Sequence, residues 1–153
     1  MAGRPAHPPI GAVLAQTARQ VHRAFDTALS TAGGSLPVWL ILLSLTTGKG
    51  GNQREIADAV GIRSATLTHH LNAMENAGLV TRRRDQADRR EHVVELTAAG
   101  AARFAELRTA AMAFDARLRA GFDPAELAGL AALLNRLATN AGAPSKETQK
   151  PHA

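Results

Sequence analysis

Between Thr81 and His92 the chain reads TRRRDQADRREH, five arginines and three acids in twelve residues. A guanidinium presents a planar fork of donors that fits a phosphate or a guanine edge, which a point-like ammonium does not. A polybasic tail would omit the acids. Set among arginines, Asp85 and Asp88 can cap a turn and pair with their neighbours, so that one guanidinium is left to project. Just upstream, RSATLTHHLNAMEN puts Ala65, Thr66, His69, Asn72 and Asn76 on one side of a helix at about 100° per residue. Thr68 lies on the flank of that side and Ser64 near the helix start. Small hydrogen-bonding groups fill the surface beside the arginine run.

Other chemistries find little support. Cysteine is absent, which removes disulfides, thiolate metal sites and thiol switches. His69 and His70 are adjacent, hence about 100° apart on a helix, and cannot share a metal as an i, i+4 pair would. His70 falls towards the buried flank, as a packed or hydrogen-bonded neighbour. TTGKGGNQ contains a Gly-Lys pair but lacks the spacing of a phosphate loop and follows a helix, so a flexible connector is enough. With no Ser-His-Asp pattern and no spaced ligand set, the chain is expected not to be an enzyme and to need no metal or cofactor.

The bulk numbers bound the architecture that must hold these residues. At 153 residues there is room for one domain with a core. A content of 45% hydrophobic but 3% aromatic residues, dominated by alanine and leucine, favours helices packed through small and straight-chain residues. The net charge of +5 suits an anionic partner, nucleic acid or an anionic surface, and charge alone does not choose between them. Fifteen of the 18 basic residues are arginine, a bias that a GC-rich genome would also produce. The apolar run LPVWLILLSL is half the length of a membrane span, and MAGRPAHPPI has prolines where a signal peptide has its apolar core. A cytoplasmic protein with no membrane partner is expected.

Periodicity supplies the elements. Residues 1–9 hold three prolines and should be a disordered arm, and residues 141–153 a flexible tail. From Ile10, the positions Leu14, Ala18, Val21, Phe25 and Leu29 form one apolar helix face that Gly33 and Gly34 stop. Ser35 and Pro37 then start a helix, VWLILLSL, that is apolar all round and so central. Two short helices follow, one with Ile56, Ala57 and Val60 inward and closed by Gly61, the next with Leu67, Leu71 and Met74 inward. That pairing across a short glycine turn is a helix-turn-helix. LVTRRR and EHVVELT alternate as two strands, with the arginine run at the tip of their ribbon. Thr97 caps a second long helix, and Asp123, Pro124 and Glu126 open a last one striped with Leu127, Leu130, Leu133, Leu134 and Leu137. The first and last helices carry more apolar surface than a small monomer leaves bare, which predicts a partner subunit.

This order of elements resembles the MarR family of bacterial transcription regulators. The specific likeness lies in Glu55 to Gly100, with its D-x-x-D-R-R wing tip and L-T-x-x-G helix start. The resemblance implies a mainly α fold with a small β-wing: six helices in a winged helix-turn-helix that dimerises through its terminal helices. Residues 10–140 would be one such domain, with 10–34 and 97–140 for dimerisation and 35–96 as the DNA-binding lobe. It also implies a homodimer on pseudo-palindromic double-stranded DNA, usually a repressor released by a small ligand. In that frame Ser64, Thr66, Thr68, His69 and Asn72 would meet bases or phosphates in a major groove. Arg84, Arg89 and Arg90 would belong to the wing, with Arg89 or Arg90 in the minor groove. An anionic or phenolic effector would sit among Arg19, His22, Trp39 and Phe104. The alternative is a protein-interaction module of the same fold that does not bind DNA.

Overall fold

The computed structural model describes residues 8–48, 51–84 and 92–142. Its elements run α1 (Ile10–Thr31), α2 (Leu36–Thr46), α3 (Gln53–Val60), α4 (Ser64–Asn76), β1 (Val80–Arg84), β2 (His92–Leu96), α5 (Ala98–Arg119) and α6 (Pro124–Gly142). This is the expected mainly α architecture with one two-stranded antiparallel sheet among the described residues. The chain divides into two compact units, one closing at Asp115 and the other opening at Ala116.

In the first unit α2 is the hub. Ile41 and Leu42 are fully buried, and α2 touches α1, α3, α4 and β2. Its apolar sequence has no polar side to spare, so burial on every face is the stable solution. Ser35 caps it, its Oγ accepting from the Val38 N–H at 3.4 Å, with proline in the first turn. Around it gather Leu29 of α1, Ile56 and Ala57 of α3, Leu67, Leu71 and Met74 of α4, Val80 and Val94 of the ribbon, and Leu107 of α5. Of these, Leu29, Ile56, Ala57, Leu67, Leu71 and Met74 are positions expected to face inward from their helical spacing.

α1 ends in paired backbone bonds: the Gly33 N–H donates to Ser30 O at 3.0 Å and the Gly34 N–H to Leu29 O at 2.9 Å. Gly33 has φ of +79°, the left-handed conformation this ending demands. Asp26 then accepts from the Leu36 N–H at 2.9 Å, tying the last turns of α1 to the start of α2.

The second unit holds the last turn of α5 and all of α6. Asp123 and Glu126 form the expected capping box, with reciprocal bonds of 2.8 and 2.9 Å. α6 runs to Gly142, past the tail boundary expected at residue 140, since no proline or left-handed residue stops it sooner. None of its residues is buried, and Leu130, Leu133 and Leu134 are exposed. On α1, Ile10, Val13, Leu14 and Val21 are likewise exposed. The rest of the expected arm and tail, residues 1–7 and 143–153, lies outside the described residues.

Candidate nucleic-acid interface

The helix-turn-helix is built by local chemistry at three points. Asn52 caps α3 and Glu55 returns the bond, a full capping box: the Glu55 N–H donates to Asn52 Oδ1 at 2.8 Å, and Glu55 Oε2 accepts from the Asn52 N–H at 3.2 Å. The same carboxylate accepts from the Gly51 N–H at 2.9 Å, and these backbone donors, Gly51 first, hold Glu55 below the usual carboxylate range. Gly61, at φ of +74°, closes α3 and turns the chain into α4. Leu67, Leu71 and Met74 then anchor one side of α4 in the core. Ser64, Thr66, Thr68, His69 and Asn72 are exposed as a consequence. His70 is half-buried with its ring 5.8 Å from that of His69 in an edge-on arrangement, in keeping with its expected place on the inner flank.

Two polar contacts fix how α4 presents that surface. Thr68 Oγ1 donates to the Ser64 carbonyl at 2.9 Å and accepts from Gln53 Nε2 at 3.3 Å, linking α4 to the first turn of α3. One turn further on, Arg82 of β1 bridges to Glu75 and Asn72. Its Nε donates to Glu75 Oε2 at 3.0 Å, its backbone N–H to Glu75 Oε1 at 3.3 Å, and its Nη2 both to Glu75 and to Asn72 Oδ1, the latter at 2.6 Å. The Arg82 guanidinium holds the Glu75 carboxyl below its ordinary range.

The ribbon pairs Val80 with Leu96, Arg82 with Val94, and Arg84 with His92. Strand alternation therefore puts Arg82 on the same face as buried Val80, and Arg83 on the other. There Arg83 Nε donates to Glu95 Oε1 at 2.8 Å. Among the described residues, the acids that orient ribbon arginines are Glu75 and Glu95. Arg84 is exposed, with no ion-pair partner among the described residues. Asp85, Asp88, Arg89 and Arg90 lie outside the described residues. The base of the ribbon is fastened by Thr97, whose hydroxyl donates to Gly78 O at 2.6 Å and accepts from the Gly100 N–H at 3.0 Å.

One expectation needs correcting. The segment before α3 is more than a flexible connector, because Gly51 O accepts from the Val94 N–H at 2.8 Å and Asn52 bridges to Val93. The wing and the start of the helix-turn-helix thus share a backbone ladder.

Residues 35–92 match the model of the MarR family, and that span holds α2 to α4, β1 and the first residue of β2. This chain belongs to the MarR family. The crystal structure of a transcriptional regulator superposes with a TM-score of 0.72 at 33% identity, covering 87% of this chain and 98% of that one. The transcriptional repressor CouR, bound to a 23-mer DNA duplex, gives 0.76 at 27% identity over 85% of this chain and 92% of that one. A regulatory protein assigned to the hcr operon of Thauera aromatica is 28% identical over 116 residues, 75% of this chain and 70% of that one.

Of the four residues expected to meet an effector in this MarR-family chain, the structure joins two. Trp39 and Phe104 stack with centroids 5.2 Å apart and planes 10° from parallel, both half-buried against the core. Arg19 and His22 stand exposed on α1. Sequence reasoning missed Gln53, Glu75 and Arg82 as the residues that orient the exposed side of α4. The available signal was the strand period: if Val80 is inward, Arg82 lies on the same face and cannot belong to a free tip.

Proposed function

We propose that this MarR-family regulator is a sequence-specific repressor that binds a pseudo-palindromic operator as a homodimer. α4 enters the major groove with Thr66, Thr68, His69 and Asn72, and the ribbon enters the neighbouring minor groove with an arginine from its tip. The observation that carries this reading is the exposed polar side of α4, locked to the ribbon through Arg82 and to α3 through Gln53. The repressor CouR, which has the same fold and is seen on a DNA duplex, supports it.

Dimerisation is supported by α1 and α6, each of which exposes a run of large apolar side chains that a second copy would cover. An anionic or phenolic effector would act against the Trp39–Phe104 stack and change the separation of the two α4 helices, which must match half-sites about 34 Å apart. The protein would work in the cytoplasm; among the described residues no single helix is long and apolar enough to cross a membrane.

The deciding experiment is selection of bound duplexes from a random DNA pool, with sedimentation of the free protein at micromolar concentration. An inverted repeat and a dimer are expected. A stable monomer, or recovery of no sequence at low salt, removes the proposal.

A further inference from the structure

The Arg82–Asn72 contact has a chemical consequence for what α4 can read. A guanidinium has donors only, so the amide atom at 2.6 Å from Arg82 Nη2 must be the oxygen of Asn72. That settles an orientation which an amide otherwise leaves open. Arg82 is itself held by the Glu75 carboxylate on three of its N–H groups, and its side chain is only 20% exposed. Asn72 stands on the exposed side of α4 with Oδ1 turned to β1, so Nδ2 is the amide atom Arg82 does not engage.

We infer that Glu75 and Arg82 are positioning residues that make Asn72 a hydrogen-bond donor to DNA. An asparagine that recognises adenine uses both amide atoms, accepting from N6 and donating to N7. With its oxygen engaged by Arg82, Asn72 cannot make that bidentate pair. It offers Nδ2 to a single acceptor: guanine N7 or O6, adenine N7, thymine O4, or a phosphate oxygen. The inference rests on α4 being the DNA-contacting helix, and it adds the polarity of one contact and the residues that set it.

Asn72→Asp tests it on the full chain. The aspartate keeps an oxygen for Arg82 and replaces the outward donor with a charged acceptor. Affinity for the selected duplex should fall about tenfold or more, with no loss of thermal stability. A loss that depends on which base stands at one base pair per half-site identifies a base edge as the acceptor, and an equal loss on all sequences identifies a phosphate. Arg82→Ala frees the amide to rotate, and should either raise the preference for adenine, then read by both amide atoms, at that base pair or weaken binding to every sequence. If Asn72→Asp binds as well as the wild type, the donor assignment is wrong, whereas a gained preference for adenine or cytosine, whose amino groups donate, is the exchange of donor for acceptor that the assignment expects. Wild-type protein that selects no duplex brings down the DNA-binding reading itself, and is thereby distinguished from failure of the donor assignment alone.

Discussion

Gly100 has the closest surroundings of the described glycines, and Gly100→Ala gives a prediction whose sign opposes the simplest expectation. Gly100 lies in the first turn of α5, buried, and its φ is not positive, so on helix propensity alone alanine should stabilise by about 1 kcal/mol. A Cβ there would stand 2.0 Å from the Leu79 carbonyl oxygen, 3.0 Å from its carbon and 2.7 Å from Leu96 Cδ1. Leu96 can swing aside. The Leu79 carbonyl cannot do so freely, because it is backbone at the foot of β1 and accepts from the Thr97 N–H at 3.1 Å. Ordinary C···O approach is about 3.3 Å or more, so α5 and Leu79 must part by about 1.3 Å. Overpacking of this kind costs about 3 kcal/mol at the upper end of its usual range, and weakening the Thr97 bond costs about 1 kcal/mol more. After the propensity gain, the net loss is about 3 kcal/mol, a melting temperature lower by roughly 6–12 °C for a chain of this size. Gly129→Ala in α6 is the control: nothing lies within 4 Å of its Cβ position, so it should raise stability by about 0.5–1 kcal/mol. Thermal melts of the two variants beside the wild type decide the matter. A Gly100→Ala protein that melts at or above the wild-type temperature would refute the close approach.

Two further outcomes follow from the wing and from the acids. Arg90→Ala, or Arg89→Ala if the other guanidinium enters the groove, should weaken operator binding by about 1–3 kcal/mol with an unchanged melting temperature; full affinity in both variants removes the minor-groove assignment. Glu55 and Glu75 both have carboxyls depressed in the folded state, by the Gly51 and Asn52 N–H groups and by Arg82 respectively. The native protein therefore binds fewer protons than the unfolded chain, and their contribution is complete above the ordinary glutamate value of about 4.3 and is lost as pH falls through the depressed values. The double variant Glu55→Gln, Glu75→Gln should show a shallower decline of melting temperature between about pH 5 and pH 3 than the wild type; identical slopes would show that these bonds do not distinguish the native carboxylates.

What could be read in the sequence was whatever repeats or punctuates. α2 announces itself as central because no face of VWLILLSL is polar, and α6 because Asp123 and Glu126 stand at capping-box spacing. The exposed side of α4 followed from the inward stripe of Leu67, Leu71 and Met74. Contacts that depend on how a turn is closed left no such trace. Glu75 and Arg82 are brought together because Gly78, at φ of +73°, reverses the chain after α4, and only the resulting register puts the carboxylate beside that arginine. The pairing of Gly51 and Asn52 with β2 was hidden for a similar reason: two residues of strand have no periodicity, and glycines suggest slack. The four residues expected to meet an effector all rested on family likeness; of these Trp39 and Phe104 are brought together by the core packing of α2 and α5, while Arg19 and His22 stand on the exposed side of α1.

The two polar ties on α4 matter most when considered together. Thr68 and Asn72 are four residues apart, so they lie one above the other on the helix, displaced by about 40° around its axis. Gln53 holds the first from α3 and Arg82 holds the second from β1. The buried stripe Leu67, Leu71 and Met74 resists translation of α4 into or out of the core, but a row of apolar side chains resists rotation about the helix axis less specifically. In the proposed complex, a rotation of even 20° would carry side chains on the outer surface past the base edges they would read. Restraints from two different elements, at successive turns, oppose that rotation directly. With α4 so held against its own lobe, an effector has little to gain by twisting it locally. In the proposed dimer, a change in the separation of two intact lobes, whose contacts with adjacent half-sites would be lost together, is the response such a lobe would favour.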